Sequence, residues 1–315
     1  MKKILANDGM EEAGIKLLEK AGFIVVTDKV PQDQLSEIIN ENDYVALTVR
    51  SATQVDKALI DSCPSIRVIA RGGVGMDNID VEYAKKKNIQ VVNTPAASSL
   101  SVAELVIGNL FAMARYLDES NREMPVKGNT EFGVLKKKFS KGSELRGKTL
   151  GIIGFGRIGQ EAAKIGLGVG MKIVAYDPYI ADANLEIEIH GAGKINVKIK
   201  TSTLDEVLAQ SDFITLHVPG GKVITQNEIK KMKKGVMLVN ASRGGVIDEK
   251  DLLVGLNIGH IAHVALDVFE GEPKPSNDIL HHPRISLTPH IGGSTEEAQQ
   301  RIGIELAEKI IHFLR

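Results

Sequence analysis

Short apolar runs alternate with stretches whose apolar positions recur every three or four residues, and the alternation starts at the first residues of the chain. Lys3–Ala6, Phe23–Val26, Tyr44–Leu47, Val68–Ala70 and Gln90–Val92 read as strands. Glu11–Ala21 carries apolar residues at helical spacing, and further helices are expected near Gln32–Glu41, Asp56–Ser62 and Val81–Lys87. Strands separated by helices need crossover connections, so the pattern predicts a parallel sheet with helices on both faces. A longer helix is expected from Ser101 to about Tyr116, opening on the capping-box spacing Ser101-Val-Ala-Glu104. Residues 117–146 break the rhythm: they are polar and include Pro125, three glycines and the run Lys136–Lys138.

Alternation resumes with the strands Thr149–Ile153, Lys172–Tyr176, Phe213–Leu216, Val236–Val239, His263–Leu266 and Ile285–Leu287. A final helix, Glu296–Leu314, sets Ile302, Leu306, Ile310 and Leu314 on one side. No repeat of fixed period is present. The chain therefore reads as α/β with two doubly wound parallel-sheet domains. One comprises 1–97 plus 290–315, with the last helix returning to it, and the other comprises 98–289. A chain that crosses twice is expected to leave a cleft, where ligands commonly sit.

The second block opens on the most informative motif. Gly154-Phe-Gly156-Arg-Ile-Gly159 follows a strand, precedes the helical segment Arg157–Val169 and is followed by a second strand that ends at Asp177. That order is the context a dinucleotide fingerprint requires. Gly154 permits the tight turn, Gly156 lets the backbone approach a pyrophosphate, and Gly159 lets the helix pack close to the sheet. Asp177 can accept hydrogen bonds from the adenosine ribose and repels a 2′-phosphate. Pro178-Tyr179 supplies no arginine to offset that, so NAD(H) is expected over NADP(H).

Composition narrows the picture further. With 315 residues, 39 basic and 40 acidic side chains and a net charge of −1, the chain offers no electrostatic case for nucleic acid or an anionic membrane. The only cysteine is Cys63, which excludes an internal disulfide and suggests a reducing, cytoplasmic setting. No apolar run approaches the roughly 18 residues of a membrane span, and no metal-ligand set is evident.

Three polar groups follow successive strands of the second block. They are Asn240-Ala-Ser-Arg243, Asp267-Val-Phe-Glu-Gly-Glu272, and Thr288-Pro-His290. Carboxyl ends of parallel strands are where ligands bind. Oxidation of a 2-hydroxy acid would use such a set. Arg243 supplies a planar fork for the carboxylate, and His290 a base near neutral pH. Glu272 would fix the histidine tautomer. Taken singly, each has an ordinary reading as loop histidine, solvated acid or helix-capping arginine; together they make a site. His217, in Leu216-His-Val-Pro219, also ends a strand and is placed to line the cofactor cleft. His190, His260, His263, His281, His282 and His312 read as structural or surface residues.

The stretches Leu150–Gly159, Asn240–Gly245, Ala265–Phe269 with Glu272-Pro273, and Thr288–Thr295 resemble the D-isomer-specific 2-hydroxyacid dehydrogenases, in order and along essentially the whole chain. The resemblance implies a flavodoxin-like substrate domain and an inserted Rossmann NAD-binding domain. Arg243, Glu272 and His290 become the substrate arginine, supporting glutamate and proton-relay histidine, and Asp267 the holder of the nicotinamide carboxamide. It also gives NAD contacts to Val74, Arg157, Ile158, Val218, Pro219, Ala241, Ser242, Gly292 and Gly293. A homodimer joined through the long helix and the 117–146 arm is implied too.

Within that family, Val49-Arg-Ser-Ala-Thr53 and Ala70–Asp80 are most similar to the phosphoglycerate dehydrogenases. This implies oxidation of 3-phospho-D-glycerate to 3-phosphooxypyruvate, on the way to serine. Arg50, Ser51 and Arg71, with Gly72 and Gly73, would then receive a phosphate; the plainer alternative pairs both arginines with surface acids. Lys136 stands where such enzymes often carry an arginine in the connecting arm, although the lysine run also reads as a solvated surface. The segment Pro219–Thr225 is shorter than usual in the family. The chain also lacks the C-terminal regulatory domains of longer members, so inhibition by serine through such a domain is not expected. Two alternatives stay open: reduction of glyoxylate, hydroxypyruvate or another 2-keto acid, and an NAD(H)-sensing binding protein akin to co-repressors.

Overall fold

The computed structural model describes all 315 residues and forms two compact units, Met1–Ser99 with Gly293–Arg315, and Leu100–Gly292. The first unit runs β1 (Lys3–Ala6), α1 (Glu12–Lys20), β2 (Ile24–Val26), α2 (Leu35–Glu41), β3 (Tyr44–Val49), α3 (Lys57–Ser62), β4 (Val68–Arg71), α4 (Val81–Lys86) and β5 (Gln90–Asn93). Its five strands are all parallel, in the order β2-β1-β3-β4-β5. The order reverses at β1, the flavodoxin-like winding that opens a ligand crevice beyond the strand ends. Helices cover both faces, so the inner strands β1, β3 and β4 bury most of their side chains, among them Ile4, Leu5, Ala46, Leu47, Val68 and Ile69. Asp56 and Asp80 start α3 and α4 by accepting the Leu59 and Tyr83 N–H groups.

The second unit takes α5 (Ser99–Ala114), α6 (Leu117–Lys138), β6 (Thr149–Ile153), α7 (Arg157–Val169), β7 (Lys172–Tyr176), β8 (Asp182–Ile189), β9 (Gly193–Lys200), α8 (Leu204–Gln210), β10 (Phe213–Leu216), α9 (Gln226–Lys231), β11 (Val236–Asn240), α10 (Glu249–Asn257), β12 (Ile261–Leu266), α11 (Asn277–Leu280) and β13 (Ile285–Leu287). Six strands form a parallel sheet, β13-β12-β11-β10-β6-β7, which reverses at β6. The last helix, α12 (Glu296–Leu314), belongs to the first unit and lies on α1. The two helices approach closely because both carry glycine at the crossing. A Cβ on Gly14 would stand 2.4 Å from the Gly303 carbonyl oxygen. Leu306, Ile310 and Leu314 are buried beside Ile4 and Leu18, each contributing about 1.5–3 kcal/mol.

Three local features depart from the sequence reading or add to it. Residues 117–138, where the alternation breaks, are helical. Acids in the first turn and lysines in the last suit the helix dipole, but only Leu135 is buried, so α6 offers no apolar stripe to reveal it. The backbone departs from helical geometry at Glu131. Helix α5 begins at Ser99, which leaves Ser101 buried inside it and the expected capping box unused. The structure builds capping boxes at Thr203–Glu206 and Thr225–Glu228 instead.

The third is the antiparallel hairpin β8–β9, a segment to which the sequence pattern assigned no element. Ala183, Leu185 and Ile187 alternate with Asp182, Asn184, Glu186 and Glu188 on β8, and Ile195, Val197 and Ile199 alternate with polar residues on β9. Cross-strand pairs Lys194–Glu186 (2.7 Å) and Lys198–Asp182 (3.1 Å) line the solvent face. Strict alternation on either side of Gly191 and Gly193 was the available signal. Beyond the hairpin, Thr201 forms a single parallel bridge to Ala175 of β7.

No single helix is long and apolar enough to cross a membrane; α5 and α6 would pass that test only as a pair, and they are bent by 56°.

His263 on β12 is 4% exposed, with Nε2 3.1 Å from the Ser286 hydroxyl and Nδ1 3.7 Å from Glu119. Burial foremost pushes its pKa down to about 4; Arg122, Arg284 and His282 add to this and Asp118 opposes it. An unfolded histidine titrates near 6.5. Between those values the unfolded chain binds a proton that the folded one refuses, so stability present above about pH 6.5 is lost as pH falls toward 4. Urea unfolding of His263→Gln is expected to show a shallower loss across that window; an identical loss would remove His263 as its source.

Candidate active site

The turn between β6 and α7 consists of Gly154, Phe155 and Gly156. Gly154 has φ +92°, and a Cβ there would lie 2.4 Å from the His217 carbonyl oxygen, so only glycine fits. A Cβ on Gly156 would meet nothing within 4 Å, which leaves the front of the turn open. Gly156 is the N-cap of α7 and gives it no side-chain cap. The first N–H groups of the helix are thus available to an anion. A Cβ on Gly159 would come within 2.3 Å of the Gly154 carbonyl oxygen. All three glycines meet the demands of a pyrophosphate turn, so a dinucleotide fits this end of the sheet.

Asp177 follows β7 and is half-buried. Its Oδ2 accepts the Phe155 N–H (2.8 Å) and its Oδ1 the N–H groups of Tyr179 (2.8 Å) and Ile180 (3.1 Å). The carboxylate therefore shapes the glycine turn as well as setting a negative charge beside it, and Oδ2 keeps a lone pair for a ribose hydroxyl. His217 donates its N–H to Ile153 (2.8 Å) and sets Nε2 3.0 Å from the Thr215 hydroxyl. Burial pushes its pKa down to about 3, so it brings no positive charge to the turn at neutral pH. Val218 and Pro219 follow it at the same strand end.

The three chemistry-bearing turns stand at the carboxyl ends of β11, β12 and β13, which are adjacent. After β11, Asn240 Oδ1 accepts the Ser242 N–H (3.1 Å) and hydroxyl (2.8 Å), and its Nδ2 donates to the Arg243 carbonyl (2.9 Å). This side-chain turn presents Ala241, Ser242 and Arg243. Arg243 Nη1 donates to the Ser242 carbonyl (2.7 Å). After β12, the Asp267 N–H donates to the Asn240 carbonyl (2.9 Å). The Asp267 carboxylate, 2% exposed, accepts the Thr288 hydroxyl (2.6 Å) and the N–H groups of Ile291 (2.8 Å) and Gly292 (2.8 Å).

Those bonds bracket His290, whose backbone lies in the left-handed region at φ +54°. Its Nδ1 donates to Glu272 Oε2 at 2.9 Å, and Glu272 Oε1 accepts the Phe269 N–H at 2.8 Å. The imidazole side chain is 55% exposed, so Nε2 remains accessible. The structure thus joins Glu272 to His290 directly, and it ties the Arg243 turn to both through Asn240 and Asp267. Asp8, Asn240 and the clamping role of Asp267 were not singled out from sequence. The Asn-x-Ser spacing at Asn240 was a usable signal, whereas Asp8 carries none.

In the first unit, Arg50 and Ser51 follow β3, and Arg71 ends the adjacent β4. Asp8 holds the Arg50 turn, accepting the N–H groups of Arg50 (2.8 Å) and Thr53 (3.0 Å), the Thr53 hydroxyl (2.8 Å) and Lys29 (3.2 Å). Burial works against its charge, but these donors win and hold the carboxyl below its ordinary range. The Arg50 guanidinium donates to Gln299 Oε1 of α12. Arg71 folds over its own turn: a Cβ on Gly73 would lie 2.0 Å from Arg71 Nη1. The Gly72 and Gly73 N–H groups donate to the Val49 carbonyl (2.9 Å) and Thr94 hydroxyl (2.8 Å), so the proposed anion contacts there fall to the guanidinium groups. Val74 is exposed beside them. A Cβ on Gly293, where the chain re-enters this unit, would sit 3.2 Å from Ser98 Cβ. Lys136 is exposed in the last turn of α6. No group of three or more His, Cys, Asp or Glu is gathered to hold a metal ion.

A glycine turn open to a pyrophosphate after β6 and a carboxylate-backed imidazole after β13, at the same edge of one parallel sheet, suit an NAD-dependent oxidoreductase. Residues 107–292 match the NAD-binding domain of the D-isomer-specific 2-hydroxyacid dehydrogenases. The chain belongs to that family, and NAD is its cofactor. It is similar to a hydroxypyruvate reductase of Thermotoga maritima, with 43% identity over 99% of this chain and 98% of the relative. It is equally similar, at 43%, to a D-3-phosphoglycerate dehydrogenase of Methanocaldococcus jannaschii, of which it spans 58%. The phosphoglycerate dehydrogenase of Bacillus subtilis is 36% identical, and the chain spans 57% of it. Among solved structures, a D-lactate dehydrogenase of Aquifex aeolicus complexed with NAD and lactic acid superposes with TM-score 0.75 at 28% identity, covering 99% of this chain and 95% of the other.

Replacing Asp177 with alanine should weaken NADH binding about tenfold, the loss of one charge-assisted hydrogen bond, and bring the NAD and NADP affinities together. Titration followed by the fluorescence of NADH and NADPH checks this; an unchanged preference would deny Asp177 the selecting role.

Proposed function

We propose that the protein oxidises 3-phospho-D-glycerate to 3-phosphooxypyruvate, feeding serine synthesis. The observation that carries the reaction type is the 2.9 Å bond from His290 Nδ1 to Glu272. With Nδ1 occupied, Nε2 is the nitrogen left to take the proton of the substrate hydroxyl. Glu272 holds that tautomer and stabilises the imidazolium that results. Arg243 receives the substrate carboxylate in its planar fork. NAD, when bound, supplies the hydride acceptor. Asp267 is assigned its nicotinamide carboxamide, alongside the turn it clamps. Val74, Arg157, Ile158, Val218, Pro219, Ala241, Ser242, Gly292 and Gly293 are assigned cofactor contacts.

Phosphate recognition is assigned to Arg50 and Arg71, supported by two guanidinium groups on adjacent strand ends and by the phosphoglycerate dehydrogenases among the relatives. Ser51 and Lys136 are added as polar contacts of the same phosphate. A second reading, reduction of hydroxypyruvate without a phosphate, is favoured by the Thermotoga maritima relative, which this chain matches nearly end to end.

Two copies are proposed to pair through α5 and α6. Phe111, Leu117, Met124, Val126, Phe132 and Val134 on these helices are exposed, which a partner copy would cover. A cytoplasmic setting accords with Cys63, whose thiol is buried and pushed up to about 11.

Rates of NADH oxidation with phosphohydroxypyruvate and hydroxypyruvate decide between the substrates. Arg50→Ala is expected to raise KM about tenfold or more for the phosphorylated acid alone, a loss of at least about 1.4 kcal/mol. An equal effect on both acids favours the second reading. His290→Ala should reduce kcat by about 10²–10⁴-fold on either acid, and near-normal turnover would dispose of the proton relay.

A further inference from the structure

Glu249 opens α10 and is only 8% exposed, an unusual setting for a carboxyl group with no part in the reaction described above. A first-turn acid commonly faces solvent and interacts only with its own helix end. Glu249 instead reaches out of its helix, and its Oε1 accepts the Glu270 N–H at 2.8 Å. The preceding N–H, that of Phe269, donates to Glu272 Oε1. Two successive backbone donors therefore meet two carboxylates, one from α10 and one from the residue that supports His290. The Phe269 carbonyl, between those donors, lies against Gly244, where a Cβ would approach it to 1.9 Å. The turn that carries Glu272 is thus fixed on one side by Glu249 and on the other by the backbone following Arg243.

We infer that Glu249 is a positioning residue for the proton relay: it fixes the Phe269–Glu272 turn so that Glu272 presents Oε2 to His290. The inference rests on the reading of Glu272 and His290 as that relay. What the turn requires of residue 249 is an acceptor oxygen, not a charge. Burial, followed by the charges of Glu270 and Asp248, raises the Glu249 pKa, against the pull of the Glu270 N–H. Glutamine supplies the same oxygen without a charge to desolvate, and alanine supplies none.

A double-mutant cycle with phosphohydroxypyruvate and NADH tests this. Glu249→Ala is expected to lower kcat by about 10- to 100-fold, the effect of an ångström-scale misplacement, while KM for NADH stays within about twofold of its original value. Glu249→Gln should restore most of the rate. In a Glu272→Ala background, Glu249→Ala should cost nothing further, because the group it positions is already gone. An equal loss in both backgrounds, no loss in either, or failure of glutamine to rescue overturns the inference. Undiminished turnover of Glu272→Ala alone overturns instead the relay on which it rests. If Glu249→Ala does not fold, Glu249→Met carries the same cycle with the side-chain volume kept.

Discussion

Asp267, through its backbone and its carboxylate, binds the ends of three strands into one object. Its own N–H is held by Asn240 at the end of β11, while its oxygens take the Thr288 hydroxyl and the Ile291 and Gly292 N–H groups beyond β13. Hydrogen bonds to a charged group are worth about 1.5–3 kcal/mol each. The three together exceed the roughly 1–3 kcal/mol that a non-glycine residue costs in the left-handed region, and His290 occupies that region. The clamp therefore determines where the imidazole points, and Glu272 completes the arrangement from the same turn that Asp267 begins. An asparagine at 267 would keep one acceptor oxygen and set an amide against the other donors, so the position calls for a carboxylate.

Parallel sheets make such a meeting of turns possible. Every strand of the second sheet points the same way, so residues distant in sequence emerge at one edge: Gly154, Asp177, His217, Arg243, Asp267 and His290. The reversal of strand order at β6 opens that edge beside the glycine turn. Close packing then limits what can stand there. Gly154 and Gly159 are within clash distance of neighbouring carbonyl groups, and Gly244 lies against Phe269, so each fixes a turn by lacking a side chain.

Much of the fold was legible because the core strands are short, apolar and evenly spaced. β1, β6, α7, β7, β10, β13 and α12 lie where the hydrophobic pattern places them. What escaped did so for two different reasons. Helix α6 buries almost nothing, so its sequence carries no stripe, and the β8–β9 hairpin stands where an α/β rhythm calls for a helix. Among the candidate site residues, residue type and position after strand ends pointed to Arg243, Glu272 and His290, the side chains that acid–base chemistry would use there. The supporting bonds were silent: Asp8, Asn240 and Glu249 act on backbone N–H groups that only the folded chain brings near.

A structure of the protein with NADH and oxamate, an unreactive analogue of a 2-keto acid, tests the account most directly. The His290 turn clamped by Asp267 should place Nε2 about 2.6–3.2 Å from the oxamate amide oxygen, with Nδ1 still on Glu272 and the oxamate carboxylate on Arg243. Oxamate bound with His290 turned away from it, or with the Glu272 bond broken, would contradict the account.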